Sequence, residues 1–236
     1  MNPRIDRDEK GNVTHKRWGE GFEQWYDAAG HVTHARLSGG TECWYDYDAD
    51  GNITHVRWGD GDERWYDADG CITHARLSDG TECWYDYDAD RNITHVRWGD
   101  GDERWYDASG HITHVRLSDG DERWFDYDAD GNTTRSRFGD GEERWYDYDG
   151  DGHITHYRLS DGTERWFDAD GRATKWKDKN GIWGASAWQA KTEMRVIGVE
   201  TISTENRMEI KSIRRDVDKM QSMSNKLDTI VGLLRK

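Results

Sequence analysis

Between residues 11 and 177 the chain consists of short runs in which apolar and polar side chains alternate, each run closed by glycine and aspartate. Ile53-Thr54-His55-Val56-Arg57-Trp58 and Glu63-Arg64-Trp65-Tyr66-Asp67 are representative. A period of two places successive side chains on opposite faces of an extended strand. Enrichment in Ile, Val, Thr, Trp and Tyr supports the same assignment. Between the runs stand Ser78-Asp79-Gly80 or Gly59-Asp60-Gly61, and Asp67-Ala68-Asp69-Gly70 or Asp46-Tyr47-Asp48-Ala49-Asp50-Gly51. Asp-Gly supplies the positive φ that tight hairpins need. The only proline is Pro3, so nothing removes a donor from the ladders.

The runs recur. The anchor G-x-[I/V]-T-H has its Ile/Val position at Val13, Val32, Ile53, Ile72, Ile93, Ile112 and Ile154, with Thr133 and Ala173 in degenerate copies. Spacings of 19 and 21 residues alternate, apart from a second 21 between Thr133 and Ile154. About eight units of 19–21 residues result, paired into a 40-residue super-repeat with a short and a long turn. The pattern predicts a mostly β protein: a tandem antiparallel β-hairpin array, as an elongated sheet or a solenoid, followed by a C-terminal α-helical coiled coil. Each second strand carries a tryptophan: Trp25, Trp44, Trp65, Trp84, Trp105, Trp124, Trp145 and Trp166. Pairing in chain order would align these rings as a ladder, with arginines such as Arg57 and Arg64 placed to stack on them. Which residues share a face depends on loop register, which the pattern leaves open.

The pattern changes after Lys177. Residues 1–10 read as a tail, 11–177 as the repeats, 178–202 as a transition and 203–236 as a helix. Over the last segment the apolar period becomes 3.5, with Ile210, Val217, Ser224 and Val231 at a, and Ile213, Met220, Leu227 and Leu234 at d. Ile210, Ile213, Val217, Met220, Leu227, Val231 and Leu234 are the candidate oligomerisation contacts. They predict a parallel dimer or trimer; the alternative is one amphipathic helix packed on the end of the sheet. Repeats on an oligomerising stalk would turn weak contacts into avidity.

Composition narrows the partners. Hydrophobic residues make up 33% and charged residues 34%, a balance that usually means disorder. Fourteen tryptophans and 11 tyrosines at fixed intervals argue for order instead, with aromatic rings supplying the buried area. A net charge of −15 makes nucleic acid a poor partner. Cys43 and Cys83 occupy one repeat position and Cys71 another, which suits repeat variation better than a disulfide framework. No signal-peptide core and no apolar run long enough to span a bilayer is present, so location stays open among virion, cytoplasm and leaderless export.

Two residue series carry candidate chemistry. Asp46-x-Asp48-x-Asp50, Asp126-x-Asp128-x-Asp130 and Asp147-x-Asp149-x-Asp151, each followed by glycine, resemble the start of a Ca²⁺ loop. The closing glutamate is missing, with Arg57 and Arg137 at the twelfth positions of the first two, and the simpler reading is a turn whose aspartates accept backbone N–H groups. Ca²⁺ is thus the one candidate cofactor, and none is required. His15, His34, His55, His74, His95, His114 and His156 form the second series, expected as a half-buried row hydrogen-bonded across strands. Protonating a row of adjacent rings would make the array acid-sensitive. No catalytic residue is assigned, because every Asp, Glu and His recurs in near-identical surroundings, whereas an active site needs groups made different by environment. The Trp/Tyr rows offer a sugar-stacking platform if exposed, and a core if not.

The runs Trp44-Tyr45-Asp46-Tyr47-Asp48-Ala49-Asp50-Gly51-Asn52-Ile53-Thr54 and Trp65-Tyr66-Asp67-Ala68-Asp69-Gly70 resemble the YD repeat of the RHS family, over roughly residues 11–176. The resemblance implies a β-sheet strip of the kind that builds toxin-enclosing shells or cell-surface adhesins. This strip is too short to close a shell and carries no toxin-like segment. The expectation is a non-enzymatic structural or adhesive fibre or appendage, of bacterial-surface or phage-virion type, with itself, a larger assembly or a surface glycan as partner. The alternatives are a glycan-binding module and an intracellular adaptor whose helix docks a partner.

Overall fold

The structure is a computed structural model and describes residues 3–185. The predicted coiled coil over 203–236, and most of the transition segment, lie outside the described residues. The chain divides into two compact units, residues 3–127 with 136–141, and residues 128–135 with 142–185.

The first unit contains β1 (Arg4–Arg7), β2 (Val13–Arg17), β3 (Glu23–Tyr26), β4 (Val32–Arg36), β5 (Glu42–Tyr47), β6 (Ile53–Trp58), β7 (Glu63–Tyr66), β8 (Ile72–Arg76), β9 (Glu82–Tyr87), β10 (Ile93–Trp98), β11 (Glu103–Tyr106), β12 (Ile112–Arg116) and β13 (Glu122–Tyr127). The residues of β14 (Thr133–Phe138) are divided between the units. The second unit adds β15 (Glu143–Tyr148), β16 (Ile154–Leu159), β17 (Glu164–Phe167), β18 (Ala173–Lys177) and β19 (Trp183–Gly184). From β1 to β13 each strand pairs antiparallel with the next. The run from β15 to β19 does the same. Each unit is therefore a hairpin meander, the sheet form of the two expected. Among the described residues the helical content is one 3-10 turn, Gly19–Gly21.

One loop serves both kinds of joint. In the 67–71 turn Gly70 N–H donates to Asp67 O at 3.1 Å and Asp67 N–H to Cys71 O at 3.0 Å. In the 48–52 turn Gly51 N–H donates to Asp48 O at 3.2 Å and Asp48 N–H to Asn52 O at 3.0 Å. This is the three-residue hairpin loop closed by a left-handed residue, with φ of +83° at Gly70 and +86° at Gly51. The expected short and long turns are thus corrected: the loops are equal and the strands differ. At the long joint β5 and β6 have six residues each, against four and five for β3 and β4 at the short joint. The chain absorbs the extra residues as one more ladder step, because β-pairing satisfies backbone groups that a longer loop would leave to water.

Register settles the faces. On one face, the row Tyr45, Val56, Arg64, Ala75 and Cys83 runs across β5 to β9. A parallel row pairs Gln24, Ala35, Cys43 and Trp58. Both rows are almost wholly buried, from Cys43 at 0% exposed to Cys83 at 9%. Large rings here stand beside Ala, Val and Cys, so interdigitating large and small side chains fill the face. The other face carries the histidines and the tryptophan ladder.

Candidate functional site

The ladder exists, and histidine is built into it. His15 pairs with Trp25, Trp25 with His34, and His34 with Trp44 in direct register. Their rings stack at centroid distances of 4.4, 4.2 and 5.0 Å. The next super-repeat stacks His55, Trp65, His74 and Trp84 at 4.6, 4.3 and 4.8 Å. A third stacks His95, Trp105, His114 and Trp124 at 4.5, 4.2 and 4.9 Å.

Each four-ring stack ends at a long joint. The extra strand length sets Arg57, not His55, opposite Trp44, and puts His55 opposite Asp46. The Arg57 guanidinium lies 5.1 Å from the Trp44 ring, and Arg97 lies 5.1 Å from Trp84. In the second unit Trp145 lies between Arg135 at 5.5 Å and Arg158 at 4.4 Å. There Trp166 stacks on His156 at 4.5 Å and on Trp183 at 5.4 Å.

Two histidine environments follow from this step. His34, His74 and His114 are sandwiched between tryptophans, and burial holds each below its ordinary pKa while Glu42, Glu82 and Glu122 oppose that shift. His55 has a tryptophan on one side only, and its ring nitrogens reach carboxylates: Nδ1 lies 3.0 Å from Asp46 and Nε2 3.0 Å from Glu63. His95 repeats this with Asp86 and Glu103 at 3.1 and 2.9 Å, and His156 with Asp147 and Glu164 at 3.0 and 3.2 Å. Both contacts are hydrogen bonds at once only in the doubly protonated ring. Burial pushes the Glu63 carboxyl up, but hydrogen bonds from Arg76 and His55 outweigh it and hold the group below the ordinary value. The expected cause of acid sensitivity is corrected here. Tryptophan rings separate the histidines within a stack, so burial, and not His–His repulsion, is the main reason these imidazoles resist protonation.

The aspartate turns divide by role. Asp48 Oδ1 accepts the backbone N–H groups of Asp50 and Asn52 at 3.0 and 2.8 Å, and its Oδ2 accepts Asn52 Nδ2–H at 3.0 Å. Asn52 and these N–H groups lower the Asp48 pKa. Asp46 faces His55 and Asp50 is exposed, so this aspartate triplet does not gather on one point. In the next loop Asp126 sits on β13, while Asp128 accepts the N–H groups of Asp130 and Asn132 at 3.0 and 2.9 Å. Asp149, Asp151 and His153 do bring ligand atoms within 4.8 Å of one another, the one such group among the described residues. Asp149 Oδ1 already accepts the N–H groups of Asp151 and His153, and Asp147 turns to His156.

Sequence reasoning missed a tyrosine series. Tyr47, Tyr87 and Tyr127 donate their hydroxyls to the carbonyls of Val32, Ile72 and Ile112 at 2.7, 2.8 and 2.7 Å. In the second unit Tyr148 donates to Thr133 O at 2.8 Å. Burial pushes the Tyr47 and Tyr87 hydroxyls up to about 12. The signal was present: this tyrosine, the third residue of Tyr-Asp-Tyr-Asp or, at Tyr127, of Phe-Asp-Tyr-Asp, occurs only at the 21-residue spacing.

A meander of near-identical hairpins, in which Trp-Tyr or Trp-Phe strands recur and most lead into an Asp-x-x-Gly turn, defines a YD-repeat protein. The chain belongs to the Teneurin YD-shell family, which matches residues 6–135. No curated protein matches it. Among solved structures it is similar to the Photorhabdus luminescens Tc holotoxin pore, at 14% identity and a TM-score of 0.28, covering 74% of this chain and 13% of that one. It is also similar to TcdB2-TccC3, at 14% identity and a TM-score of 0.26, covering 80% of this chain and 12% of that one. The TCP10 domain of Danio rerio CPAP is similar at 16% identity and a TM-score of 0.38, over 72% of this chain and 98% of that domain. The chain thus spans about an eighth of the length of the toxin chains it matches. Among the described residues no helix is long and apolar enough to cross a membrane.

Proposed function

We propose that the array is a non-enzymatic structural element, a strip of sheet wall in a larger assembly. The observation that carries this reading is the stacked face itself. Trp25, Trp65 and Trp105 have a histidine on both ring faces. Trp44 and Trp84 have a histidine on one face and an arginine on the other. Glycan stacking needs a free ring face, so the geometry favours the wall over the sugar platform. The carboxylates and imidazoles likewise repeat the same partners from copy to copy, which leaves no pair set apart for acid–base work. Membership of the YD-shell family agrees with a wall role. An adhesive or appendage role, and self-assembly through residues 203–236, belong to the same proposal.

Electron microscopy and mass measurement on the native particle recovered from its source test this reading. The chain is expected as a stoichiometric component of a larger particle. Recovery solely as a free monomer would overturn the assembly role. Glycan-array binding that Trp65→Ala abolishes in a folded protein would favour the sugar platform.

A further inference from the structure

The face opposite the stack holds a buried guanidinium that no carboxylate among the described residues meets at hydrogen-bond distance. Tyr45, Val56 and Arg64 form one row across β5, β6 and β7. Trp58 and Tyr66 lie two residues further along β6 and β7, on the same face. Arg64 is 1% exposed, Trp58 2% and Tyr45 4%. The Arg64 guanidinium lies over the Trp58 ring, 4.4 Å from its centroid. Stacking covers the flat face of the guanidinium and leaves its N–H edge uncommitted. Trp58 Nε1 has no hydrogen-bond partner among the described residues, and no carboxylate there meets the Arg64 guanidinium at hydrogen-bond distance. The Tyr66 hydroxyl lies beside the Arg64 guanidinium: burial raises its pKa, while the Arg64 charge and a hydrogen bond from Arg64 oppose that shift.

At two other copies of this repeat position the arginine has a counter-ion. Arg123 Nη2 lies 3.0 Å from Asp121, and Arg144 Nε lies 2.6 Å from Glu142, in each case the acid two residues earlier. The acid two residues before Arg64 is Asp62, and its Oδ1 instead accepts the backbone N–H of Ser78 at 2.9 Å. A guanidinium does not lose its proton in a protein, and a buried charge without an opposite charge is among the least favourable arrangements a fold can hold. What would satisfy this group is an acceptor of charge −1 with two oxygens matching the guanidinium fork. A doubly charged phosphate would leave a buried charge of the opposite sign among the four groups named.

We propose that Arg64, with Trp58, Tyr45 and Tyr66 around it, is a binding site for a single carboxylate anion. The Arg64 edge takes the two oxygens, and the tyrosine hydroxyls and the indole N–H supply further donors. This goes beyond a wall role: it gives the array a bound anion.

Thermal melts of the full chain in formate, against chloride at equal ionic strength, test the site. A saturable rise in melting temperature on the order of 3 °C is expected in formate alone. Arg64→Met should abolish the rise, while Arg123→Met, which removes an arginine already paired with Asp121, should keep it. Tyr66→Phe, which removes only one donor, should weaken the apparent formate affinity several-fold, and it serves if Arg64→Met does not fold. A wild-type chain indifferent to formate, which would mean that water satisfies these donors, would overturn the proposal. So would an equal rise in folded Arg64→Met, or an affinity that Tyr66→Phe leaves unchanged.

Discussion

At the scale of single residues, environment assigns different work to identical side chains. Burial lowers the pKa of His34, His74 and His114 from the ordinary 6.5. Around His34 the opposing groups are Glu42 and Glu23, while Arg36 and His15 add to the lowering. A folded-state pKa below the unfolded one means that the unfolded chain binds more protons as pH falls. The contribution of these histidines is therefore complete above pH 6.5 and is lost as pH falls through their folded values. Melting temperature should drop between pH 7.5 and 5.5, and His74→Phe should flatten part of that slope; a pH-independent melt in this window would contradict the assignment. Arg91 is a second case. It stands where the other long joints have glycine and takes φ of +69°, the one non-glycine residue in the left-handed region among those described. Its exposed ion pair with Asp69, at 3.4 Å, contributes little. Arg91→Gly should raise stability by about 0.5–1 kcal/mol, read from the denaturant midpoint, because strain relief exceeds the added chain entropy.

At the scale of elements, the two extra residues of the 21-residue spacing change what faces what. At a short joint Trp25 meets His34; at a long joint Trp44 meets Arg57, and Asp46 meets His55. Each of the three stacks in the first unit therefore ends after four rings, and the carboxylate-clamped His55 and His95 begin the second and third. The tyrosine tether belongs to the long joint as well. Its hydroxyl satisfies a carbonyl at the start of the preceding hairpin, so Tyr87→Phe should leave Ile72 O without its donor. The expected loss is about 1 kcal/mol at an unchanged m-value, measured by urea unfolding. The hairpins and their turns were legible in the sequence, since alternation and Asp-Gly are local signals. The tether was legible only in part: the 21-residue spacing marks the tyrosine, but which carbonyl its hydroxyl reaches 15 residues away is decided by strand register.

At the scale of the whole molecule, repetition makes stability nearly a sum of contributions from single hairpins and from the contacts between neighbours. Deleting residues 53–92 removes one complete super-repeat from the first unit and joins Asn52 to Ile93, reproducing the native Asn92-Ile93 junction. That deletion should fold cooperatively with a lower m-value. Deleting residues 53–71 instead joins a long strand to a short-joint partner, sets the stack out of step, and should cost more stability per residue removed. Circular dichroism during urea unfolding separates the two outcomes.

The sequence alone determined the strands, the repeat, the YD motif and the family, because each rests on contacts close along the chain. It also marked the alternation of 19 and 21 residues but placed the difference in the turns. Only the tertiary structure decided that the loops are equal and the strands unequal, since ladder pairing takes up residues that a loop would leave unsatisfied. Register then decided the faces: histidine and tryptophan in one stack, and Arg64 enclosed on the other side with no carboxylate paired to it among the described residues. A one-residue slip in pairing would exchange those faces, so what surrounds each side chain is fixed by the pairing and not by the pattern.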